Sequence, residues 1–501
     1  MSDALLNAEA VEKELRFWNI PGLAAGVNLH GEDALLEGYG VRDRENGLPM
    51  TPDSLGCIGS CTKSFTSAVI ETLADDGILD LDKPVRDYVP DFRMMDPEAS
   101  EHVTLRDMLC HRTGLPAHDG MWPQEHTSRR EFLHEIRYLQ PVYPFRGGTE
   151  YSNVMYGAAG AIAEAVTGKT WEELVQKRIL DPLDMHRTCL CPQDSMKDDN
   201  HAAGYFSEDR HSPLQRMGIL DMNVDAPAGN IYSCPSEMLH WLRMHLCRGL
   251  YAGKRILSER GADEVQRGIV RNASYPWQFP EFSEIVLYGL GWRNAIFRGH
   301  TVIYHTGEVE GYCALEAFVP SMDVCIMLQV NHHKPCAPFL FSMLLTILDA
   351  VLNEEGEDVG HIDWPSRFHP FDEIFGGAHY NWKVDCMEGA APDPDNRKPM
   401  THPVADYTGT FSNPAYGTHS VYAENGHLVL HYWNQALMME HCRYDTFRIE
   451  GLKEDTIYLT IPMSYHYNEK NGDIDGFFLK LEPETPPMFF RKLQMSSPST
   501  A

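Results

Sequence analysis

Positive charge is scarce in this chain of 501 residues. It has 42 lysine and arginine residues against 72 aspartate and glutamate residues, which gives a formal net charge of -30 at pH 7. A protein that binds nucleic acid or an anionic membrane surface needs a basic patch. We therefore expect neither a nucleic acid nor a membrane among its partners, and we interpret the acidity as a solubility feature.

Long apolar runs and paired cysteines are also missing. The longest apolar stretch, residues 337–352, contains Asp349 and is too short to cross a bilayer, so it predicts a buried helix. The 12 cysteines include no C-x-x-C pair, and no basic segment followed by an apolar core lies near Met1. Cys189 and Cys191 have no histidine at metal-ligand spacing. These features predict a cytoplasmic protein with reduced thiols and without a metal or organic cofactor.

The most informative feature that is present is a serine with a lysine three residues later. Ser60 and Lys63 stand at the start of a predicted apolar helix. Residues three apart lie on one helical face, so the lysine amine can reach the serine hydroxyl. The free N–H groups at a helix N-terminus also favour developing negative charge. Taken alone, the pair is better explained as an N-cap serine and a surface lysine.

Two later motifs change that interpretation. Tyr151 and Asn153 lie on a loop before a helix of small residues, where they can direct a phenol and an amide into one cleft. The segment His305-Thr306-Gly307 ends a β-rich run, and its glycine permits close approach of a ligand to the backbone. Each has a structural alternative, since the loop residues can brace the loop and His305 can be a packed strand histidine. Their order after the serine and lysine indicates an active site.

In this order the motifs resemble those of the serine β-lactamase and penicillin-binding-protein superfamily, in its branch of class C β-lactamases, D-aminopeptidases and esterases. That family carries S-x-x-K, then Y-x-N, then K-T-G or H-T-G. The surrounding segments are also similar to it: residues 109–116, 181–185, 228–233 and 288–292. The resemblance covers roughly residues 8–352 and implies a serine hydrolase that works through an acyl-enzyme.

The resemblance implies catalytic roles for three residues. Ser60 is the expected nucleophile and Lys63 is its activating neighbour. Tyr151 is the expected general base, and later the acid that protonates the leaving group. A hydroxyl of high pKa needs such a base, and a lysine or tyrosine serves only when its neighbours lower its own pKa. A Lys63 cation beside Tyr151 would favour the phenolate.

The resemblance also implies a substrate-binding set. Asn153 is expected to orient the lysine and bind the substrate amide. The segment His305, Thr306 and Gly307 is expected to line the site. The backbone N–H groups of the nucleophile and of Glu308 are expected to form the oxyanion hole, because Glu308 follows the glycine of the third motif.

His305 departs from the commonest form of the family's third motif. β-Lactamases and most DD-peptidases have a lysine there, which helps to hold the carboxylate of the substrate. A histidine with a pKa of about 6.5 is mostly neutral at pH 7 and is a weaker anchor. The histidine form is more similar to the esterases and D-aminopeptidases. It predicts a preference for substrates without a terminal carboxylate and argues against efficient β-lactam hydrolysis.

The order of predicted elements indicates an α+β fold. Predicted helices at residues 3–18 and 337–352 flank an antiparallel sheet, and a mostly helical lobe over residues 55–223 faces it across a cleft. Its strands are predicted at residues 22–28, 34–39, 301–305, 312–319 and 324–330. We assign residues 1–353 to a β-lactamase/DD-peptidase-like serine hydrolase domain.

The C-terminal part has a different pattern. Residues 354–403 are predicted to be a linker that includes a helix and an aromatic cluster. From residue 404 to residue 494 short alternating strands are separated by turn signals such as Asn425-Gly426, which predicts a small antiparallel β-barrel. It resembles the lipocalin-like domain attached to several serine β-lactamase-like hydrolases. In that group such a barrel shapes the active-site mouth or mediates a homo-oligomer.

The sequence therefore predicts a serine hydrolase acting on an amide or ester. The expected substrate is a small molecule or peptide: a short peptide, a D-amino-acid derivative or an ester. An acyltransferase that uses the same acyl-enzyme is one alternative. A non-catalytic binding or scaffold protein on this fold is another, against which the complete set of Ser60, Lys63, Tyr151 and Asn153 argues.

Overall fold

The computed structural model describes residues 5–121, 128–207, 209–272, 276–283, 286–333, 336–372, 398–432, 435–450, 460–482 and 484–494. In this part of the chain, a sheet covered by helices on both faces is followed by a closed β-barrel. The predicted α+β class and the predicted antiparallel barrel are confirmed. The part of the predicted linker over residues 373–397 and the first two residues of the predicted N-terminal helix, residues 3 and 4, lie outside the described residues.

The central sheet has nine antiparallel strands and joins the two ends of the first domain. The strand Gly22–Leu29 pairs with Val324–Val330, about three hundred residues later, and with Glu32–Asp43 on its other side. In spatial order the strands are Val270–Asn272, Val286–Tyr288, Arg293–Phe297, His300–Val309, Tyr312–Val319, Val324–Val330, Gly22–Leu29, Glu32–Asp43 and Leu48–Pro49.

The three central strands are buried along their whole length, because helices cover both faces of the sheet. In Val324–Val330, Cys325 and Met327 face the helical lobe, while Ile326 and Leu328 face the terminal helices. A strand buried on both faces reads as a continuous apolar run rather than an alternation. This is why these strands are easy to predict from the sequence.

The helices fall into two groups on opposite faces of the sheet. Ala8–Trp18 and Cys336–Glu354 share one apolar cluster, whereas Thr62–Asp75 and Pro235–Leu246 belong to the cluster on the other face. The remaining described helices, mostly in the lobe, are Pro97–His102, Leu105–Leu109, Arg129–Glu135, Asn153–Thr167, Trp171–Val175, Pro192–Ser195, Ala226–Gly229, Glu259–Gln266 and Trp364–Phe368.

Short elements complete the domain. Two-residue strands form small sheets: His332–His333 with Tyr205–Phe206 and Gln215–Arg216, Gly56–Cys57 with Tyr232–Ser233, and Leu250–Tyr251 with Lys254–Arg255. The single-turn 3-10 helices are Gly59–Cys61, Val85–Asp87, Ile136–Tyr138, Asn223–Asp225, Pro320–Met322, His369–Phe371 and Val404–Tyr407, and a π-turn covers Gln176–Leu180.

The helix Cys336–Glu354 is, among the described residues, the one helix long and apolar enough to cross a membrane by length and composition. Most of its apolar stretch is buried inside the protein. It lies against the central sheet, where Phe339, Leu344 and Leu348 are fully buried. The sequence predicted a buried helix here.

Two strands extend beyond their predicted bounds. The one expected at residues 34–39 runs over Glu32–Asp43, and the one expected at residues 301–305 runs over His300–Val309. In the second strand, Gly307 and Glu308 continue the ladder by pairing with the strand Tyr312–Val319. Ladder hydrogen bonds to a neighbour are not visible in local propensity, so the predicted strand was too short.

The first half of the predicted linker packs against the first domain. The helix Trp364–Phe368 and the turn His369–Phe371 follow the long helix. Trp364 and Phe368 are fully buried, and the Trp364 indole N–H donates to Asp349 at 2.7 Å. Trp364 and Phe368 thus pack in the apolar cluster of the terminal helices, and the domain boundary at residue 354 stays a prediction. The aromatic residues of this segment bury their rings in the core, which a solvated linker does not do.

The C-terminal barrel closes by pairing its first strand with its last. Its eight strands, each paired with the next, are Gly409–Asn413, Gly417–Glu424, His427–Tyr432, Gln435–Arg443, Thr446–Glu450, Thr460–Tyr467, Ile474–Leu479 and Met488–Lys492. Asn425 and Gly426 have φ values of 51° and 82°, as the predicted hairpin turn requires. Aromatic side chains fill the interior, and one apolar cluster includes residues of both the barrel and the helical lobe.

Replacement of Trp364 by alanine tests whether this segment belongs to the domain core. We expect Trp364→Ala to lower the free energy of unfolding by about 3–5 kcal/mol, because it deletes a fully buried indole. The matched control is Tyr138→Ala, at a side chain that is 44% exposed, which should change it by about 0.5 kcal/mol or less. Urea denaturation followed by tryptophan fluorescence measures both. If both variants change the free energy of unfolding by the same small amount, the segment is a linker and not part of the core.

Candidate active site

The predicted nucleophile lies in a tight turn that leads into a helix. Ser60 is the middle residue of the turn Gly59–Cys61, which continues directly into the helix Thr62–Asp75. Gly59 has a φ of 52°, a conformation that glycine adopts without steric cost. The turn places the Ser60 side chain at the N-terminal end of a buried helix, as the sequence predicted.

Two glycines let the third motif approach this turn closely. A Cβ atom on Gly59 would lie 2.7 Å from the Glu308 nitrogen. A Cβ atom on Gly307 would lie 1.8 Å from the Ile58 oxygen and 3.0 Å from the Ser60 nitrogen. The backbone of the strand His300–Val309 is thus in contact with the backbone of the nucleophile turn. This arrangement brings together the two N–H groups predicted to form the oxyanion hole, and that role stays a prediction.

Lys63 reaches the serine from one helical turn away. Its Nζ atom donates to Ser60 Oγ at 2.9 Å and to the Ala228 carbonyl oxygen at 2.8 Å. The side chain is fully buried, and burial lowers the pKa of the Lys63 amine to about 7, although the carboxylates of Asp225 and Asp119 oppose the shift. An amine that is partly neutral at pH 7 can accept the proton of the serine hydroxyl.

Asp225 is the carboxyl group that acts most strongly on this amine. It ends the turn Asn223–Asp225, which precedes the helix Ala226–Gly229 that supplies the Ala228 carbonyl. Asp225 is fully buried, and burial raises its pKa well above the ordinary value, with the Lys63 charge acting in the opposite direction. The pair therefore favours neutral forms on both side chains over a buried ion pair.

Tyr151 lies against both the serine and the lysine. Its hydroxyl hydrogen-bonds to the Ser60 side chain, and its ring centroid is 4.9 Å from Lys63 Nζ. Burial raises the pKa of the Tyr151 phenol, which outweighs the hydrogen bond from Ser60. The sequence argument for a phenolate, which requires a lowered pKa, is therefore not supported. Of the two candidate bases, the lysine has the pKa suited to the task.

His111, in the segment 109–116 that resembles the family, holds the tyrosine loop. The Ser152 backbone N–H donates to His111 Nδ1 at 3.1 Å, and the two rings of His111 and Tyr151 lie 4.4 Å apart. Burial lowers the pKa of His111 well below its ordinary value, so its ring is a neutral acceptor. Its contribution is to position the Tyr151 loop.

Asn153 begins the helix Asn153–Thr167 and points toward Asp119. Its Nδ2 atom donates to Asp119 Oδ1 at 2.7 Å, while its Oδ1 atom is buried with no hydrogen-bond partner among the described residues. The described hydrogen bonds of the lysine amine go to Ser60 and Ala228, so Ala228 rather than Asn153 orients it. The Oδ1 atom can accept a substrate N–H, and substrate binding by Asn153 stays a prediction.

His305 is buried behind the cleft in a neutral form. Its ring is 1% exposed, with Nδ1–H donating to the Thr306 carbonyl at 2.6 Å. Its Nε2 atom accepts from the Tyr288 hydroxyl at 3.0 Å. Burial, then the charges of Arg293 and Lys63, lower the pKa of His305 well below its ordinary value. The structure thus agrees that this position carries no charge, and direct contact of His305 with a substrate stays a prediction.

The other two residues of the predicted binding set are more accessible. Thr306 is half-buried beside the histidine. The Glu308 side chain is exposed, with its carboxylate 3.7 Å from His333 Nε2. Among the described residues, no group of three or more His, Cys, Asp or Glu side chains could hold a metal ion.

Arg293 is a charged residue of the site that the sequence did not single out. It follows the segment 288–292 and begins the strand Arg293–Phe297, next to the strand of His305. Its guanidinium carbon lies 5.9 Å from the ring centroids of both Tyr151 and Tyr288. A permanent cation is therefore present beside the neutral histidine, which weakens the sequence argument against substrates that carry a carboxylate.

A profile of the Beta-lactamase family matches residues 9–340, more than half of the chain. The chain belongs to the β-lactamase family. Residues 393–495 match a second profile, a domain of unknown function named DUF3471. The β-lactamase-family domain and the barrel seen in the structure correspond to these two matched regions.

The curated relatives of this β-lactamase-family protein include hydrolases and penicillin-binding proteins. The unguisins hydrolase of Aspergillus campestris is 26% identical over 420 residues, covering 82% of this chain and 76% of the relative. Penicillin-binding protein 4 of Amycolatopsis lactamdurans is 26% identical over 321 residues, covering 62% of this chain and 81% of the relative. With the family match, these relatives show that the chain is a serine hydrolase.

Solved structures share its fold. The octameric penicillin-binding protein homologue of Pyrococcus abyssi has a TM-score of 0.57 at 20% identity and covers 96% of this chain and 98% of its own. The D-amino acid amidase of Ochrobactrum anthropi, complexed with L-phenylalanine amide, has a TM-score of 0.55 at 25% identity and covers 71% of this chain and 99% of its own. The first of these likenesses includes the barrel.

Replacement of Gly307 by alanine tests the contact between strand and turn. The added Cβ has no space against the Ile58 and Ser60 backbone, so the two predicted oxyanion donors must move apart. We expect kcat/KM to fall by roughly 100- to 1,000-fold, the usual cost of losing one such donor. The control is Gly26→Ala in the same sheet, whose Cβ would have side-chain atoms of Leu239 and Pro235 as its nearest neighbours, at 3.2–3.3 Å. Similar activities of the two variants would rule out this oxyanion hole.

The pH dependence of activity tests the role of Lys63. If the neutral amine is the base, log kcat/KM rises with pH to about 7, where half of the lysine is deprotonated, and levels off at higher pH. Burial, with the neighbouring Glu484, also raises the pKa of Glu150 to about 7. Glu150→Gln is therefore the control, and the rise of log kcat/KM with pH should remain in this variant. The assignment would be contradicted by a rise of log kcat/KM centred near pH 10, or by a rise near pH 7 that disappears in Glu150→Gln.

Proposed function

We propose that this serine hydrolase cleaves an amide or ester bond of a small peptide or D-amino-acid derivative through an acyl-enzyme on Ser60. The observation that carries the proposal is the hydrogen bond of 2.9 Å between the Ser60 hydroxyl and a buried amine, Lys63, whose pKa is lowered to about 7. An ordinary surface lysine would remain protonated and could not accept the serine proton.

Acylation begins when the Ser60 oxygen attacks the substrate carbonyl carbon and its proton passes to Lys63 Nζ. The carbonyl electrons move to the oxygen, which the N–H groups of Ser60 and Glu308 stabilise. The tetrahedral intermediate collapses as the bond to the leaving amine or alcohol breaks. Tyr151 donates the proton that this leaving group needs, and its raised pKa keeps it in the protonated form that such a donor requires.

Deacylation repeats these steps with water in place of the serine. Before water reacts, the lysine proton passes to the Tyr151 phenolate, which contacts both the serine and the lysine and so becomes a phenol again. The water then attacks the ester carbonyl while its proton passes to Lys63. The bond to the Ser60 oxygen breaks, the acid is released, and Ser60 takes its proton from Tyr151, which the lysine reprotonates. No metal or organic cofactor takes part in the proposed cycle.

Cys61, next to the serine, is the internal rival as nucleophile, since thiols are intrinsically more reactive than hydroxyls. Its side chain is fully buried and its Sγ atom donates to the His305 carbonyl at 3.7 Å. Burial raises the pKa of the Cys61 thiol well above its ordinary value, so little thiolate forms at neutral pH. These contacts support Ser60.

The substrate class rests on the relatives. One acts on unguisins, one is a D-amino acid amidase, and SurE, a structural neighbour, is known with D-Leu. The amide oxygen of Asn153, buried without a described partner, can accept the N–H of an acyl-amino substrate. The likeness to these proteins supports an amide substrate with D-configuration next to the scissile bond. Cytoplasmic location and a homo-oligomer stay predictions.

The proposal is tested with matched D- and L-aminoacyl amides and esters, in wild type and Ser60→Ala. We expect turnover of the D-series at least tenfold faster in wild type and none in Ser60→Ala. A fluorophosphonate probe should leave one adduct, on the Ser60 peptide, by mass spectrometry. Turnover in Ser60→Ala, or an adduct on Cys61, would overturn the mechanism. A preference for the L-series would overturn the substrate class, and faster product formation with an added amine would indicate acyl transfer.

A further inference from the structure

The barrel contacts the active-site loop of the first domain directly. Tyr416 lies between the first two barrel strands, is 1% exposed and hydrogen-bonds to His118 Nδ1 at 2.6 Å. Two backbone N–H groups, of Ala415 and Tyr416, donate to Asn413 Oδ1, which sets the conformation of this turn. The position of the Tyr416 side chain is therefore set by the barrel, and it is not an exposed surface residue.

The direction of the hydrogen bond follows from the other ring nitrogen of His118. Nε2 lies 3.0 Å from the Gln140 carbonyl oxygen, which can only accept, so Nε2 carries the proton. Nδ1 must then accept from the Tyr416 hydroxyl. Burial lowers the pKa of His118 to about 4, so the ring is neutral near pH 7. The barrel tyrosine and the Gln140 carbonyl hold this ring from both sides.

Other barrel residues also contact this loop, at residues 118–120. A Cβ atom on Gly120 would lie 3.2 Å from the Tyr416 ring, so the glycine lets the ring approach the loop backbone. The Tyr432 hydroxyl lies 3.5 Å from the Gly120 carbonyl oxygen. The buried Glu482 carboxyl group faces the backbone N–H groups of His118 and Asp119. Three barrel side chains thus define the position of residues 118–120.

This loop in turn holds the tyrosine motif of the active site. Asp119 accepts from Asn153 Nδ2 at 2.7 Å, and the Pro116 carbonyl accepts from the Ser152 hydroxyl at 2.9 Å. The two residues that follow Tyr151 are therefore both anchored to the loop that the barrel fixes. The hydrogen bond to Asp119 leaves the buried Oδ1 atom of Asn153 as the amide atom available to a substrate N–H.

We propose that Tyr416 of the barrel is a positioning residue for the active site, acting through His118 and Asp119 on Asn153. The barrel is then a structural part of amide recognition and not an independent module. This inference rests on the proposed function, because it assigns the affected step to binding of the substrate amide. It predicts that the barrel influences amide turnover through one hydroxyl group.

The test removes that hydroxyl and a matched one. Tyr416→Phe should lower kcat/KM for the best D-aminoacyl amide roughly tenfold, mainly through KM, because a displaced Asn153 binds the amide less well. Labelling of Ser60 by a fluorophosphonate, which offers no amide to Asn153, should change by less than about threefold. The control is Tyr465→Phe, a buried barrel tyrosine whose hydroxyl donates to the Tyr407 carbonyl at 2.9 Å, away from the loop. It should leave both rates unchanged.

A second comparison tests the route. In an Asn153→Ala background, Tyr416→Phe should lower kcat/KM for the amide little further, because both changes affect the same interaction. Should Tyr416→Phe not fold, His118→Gln tests the same link with the barrel intact and should show the same KM effect. All rates are divided by the fraction of sites that the probe titrates, which removes the effect of misfolded protein.

The outcomes are distinguishable. A wild-type protein that labels on Ser60 but turns over no amide or ester overturns the proposed function, and this inference with it. An active wild type in which Tyr416→Phe matches Tyr465→Phe overturns the inference alone. Equal losses in labelling and in amide turnover would also overturn it, because they show a general structural defect rather than lost amide recognition.

Discussion

Burial of one amine is the constraint on which the rest of the site depends. The Lys63 side chain is fully buried, and this burial is the largest cause of its lowered pKa. It requires that the helix Thr62–Asp75 be covered on all sides, by the central sheet and by the helical lobe. Thr66 in this helix donates to the Pro227 carbonyl and accepts from the Trp171 indole, so buried polar contacts hold the helix in place. Loss of that cover would return the lysine to its ordinary charge.

The same arrangement makes the backbone contacts of the nucleophile turn possible. Once the helix is held against the sheet, Gly59 and Gly307 bring the turn and the strand to a distance that no side chain permits. The amine and the predicted oxyanion donors are thus products of one packing arrangement. Their chemistry is coupled because each depends on the same helix and strand being rigid.

Charge in the cleft is distributed differently from what the third motif suggests. Burial, with the charges of Arg293 and Lys63, lowers the pKa of His305 well below its ordinary value, so the ring is neutral near pH 7. The permanent cation is Arg293, on the neighbouring strand, and Asp119 supplies a carboxylate near Asn153. Arg293 therefore lies in the sheet, and Asp119 lies in the loop that contacts the barrel. The barrel takes part in this arrangement through the loop that carries Asp119.

The sequence by itself determined the family, the α+β class, the barrel and the residues of the three motifs. These features can be recognised from local sequence patterns: the spacing of Ser60 and Lys63, the continuous apolar strands, and the Asn425-Gly426 turn. Only the tertiary structure decided that Lys63 has the lowered pKa, that Tyr151 does not, that Arg293 lies beside Tyr151, and that Tyr416 contacts the loop of His118. The reason is that burial and contact between residues far apart in the chain, such as His118 and Tyr416 at a separation of 298 residues, exist only after folding.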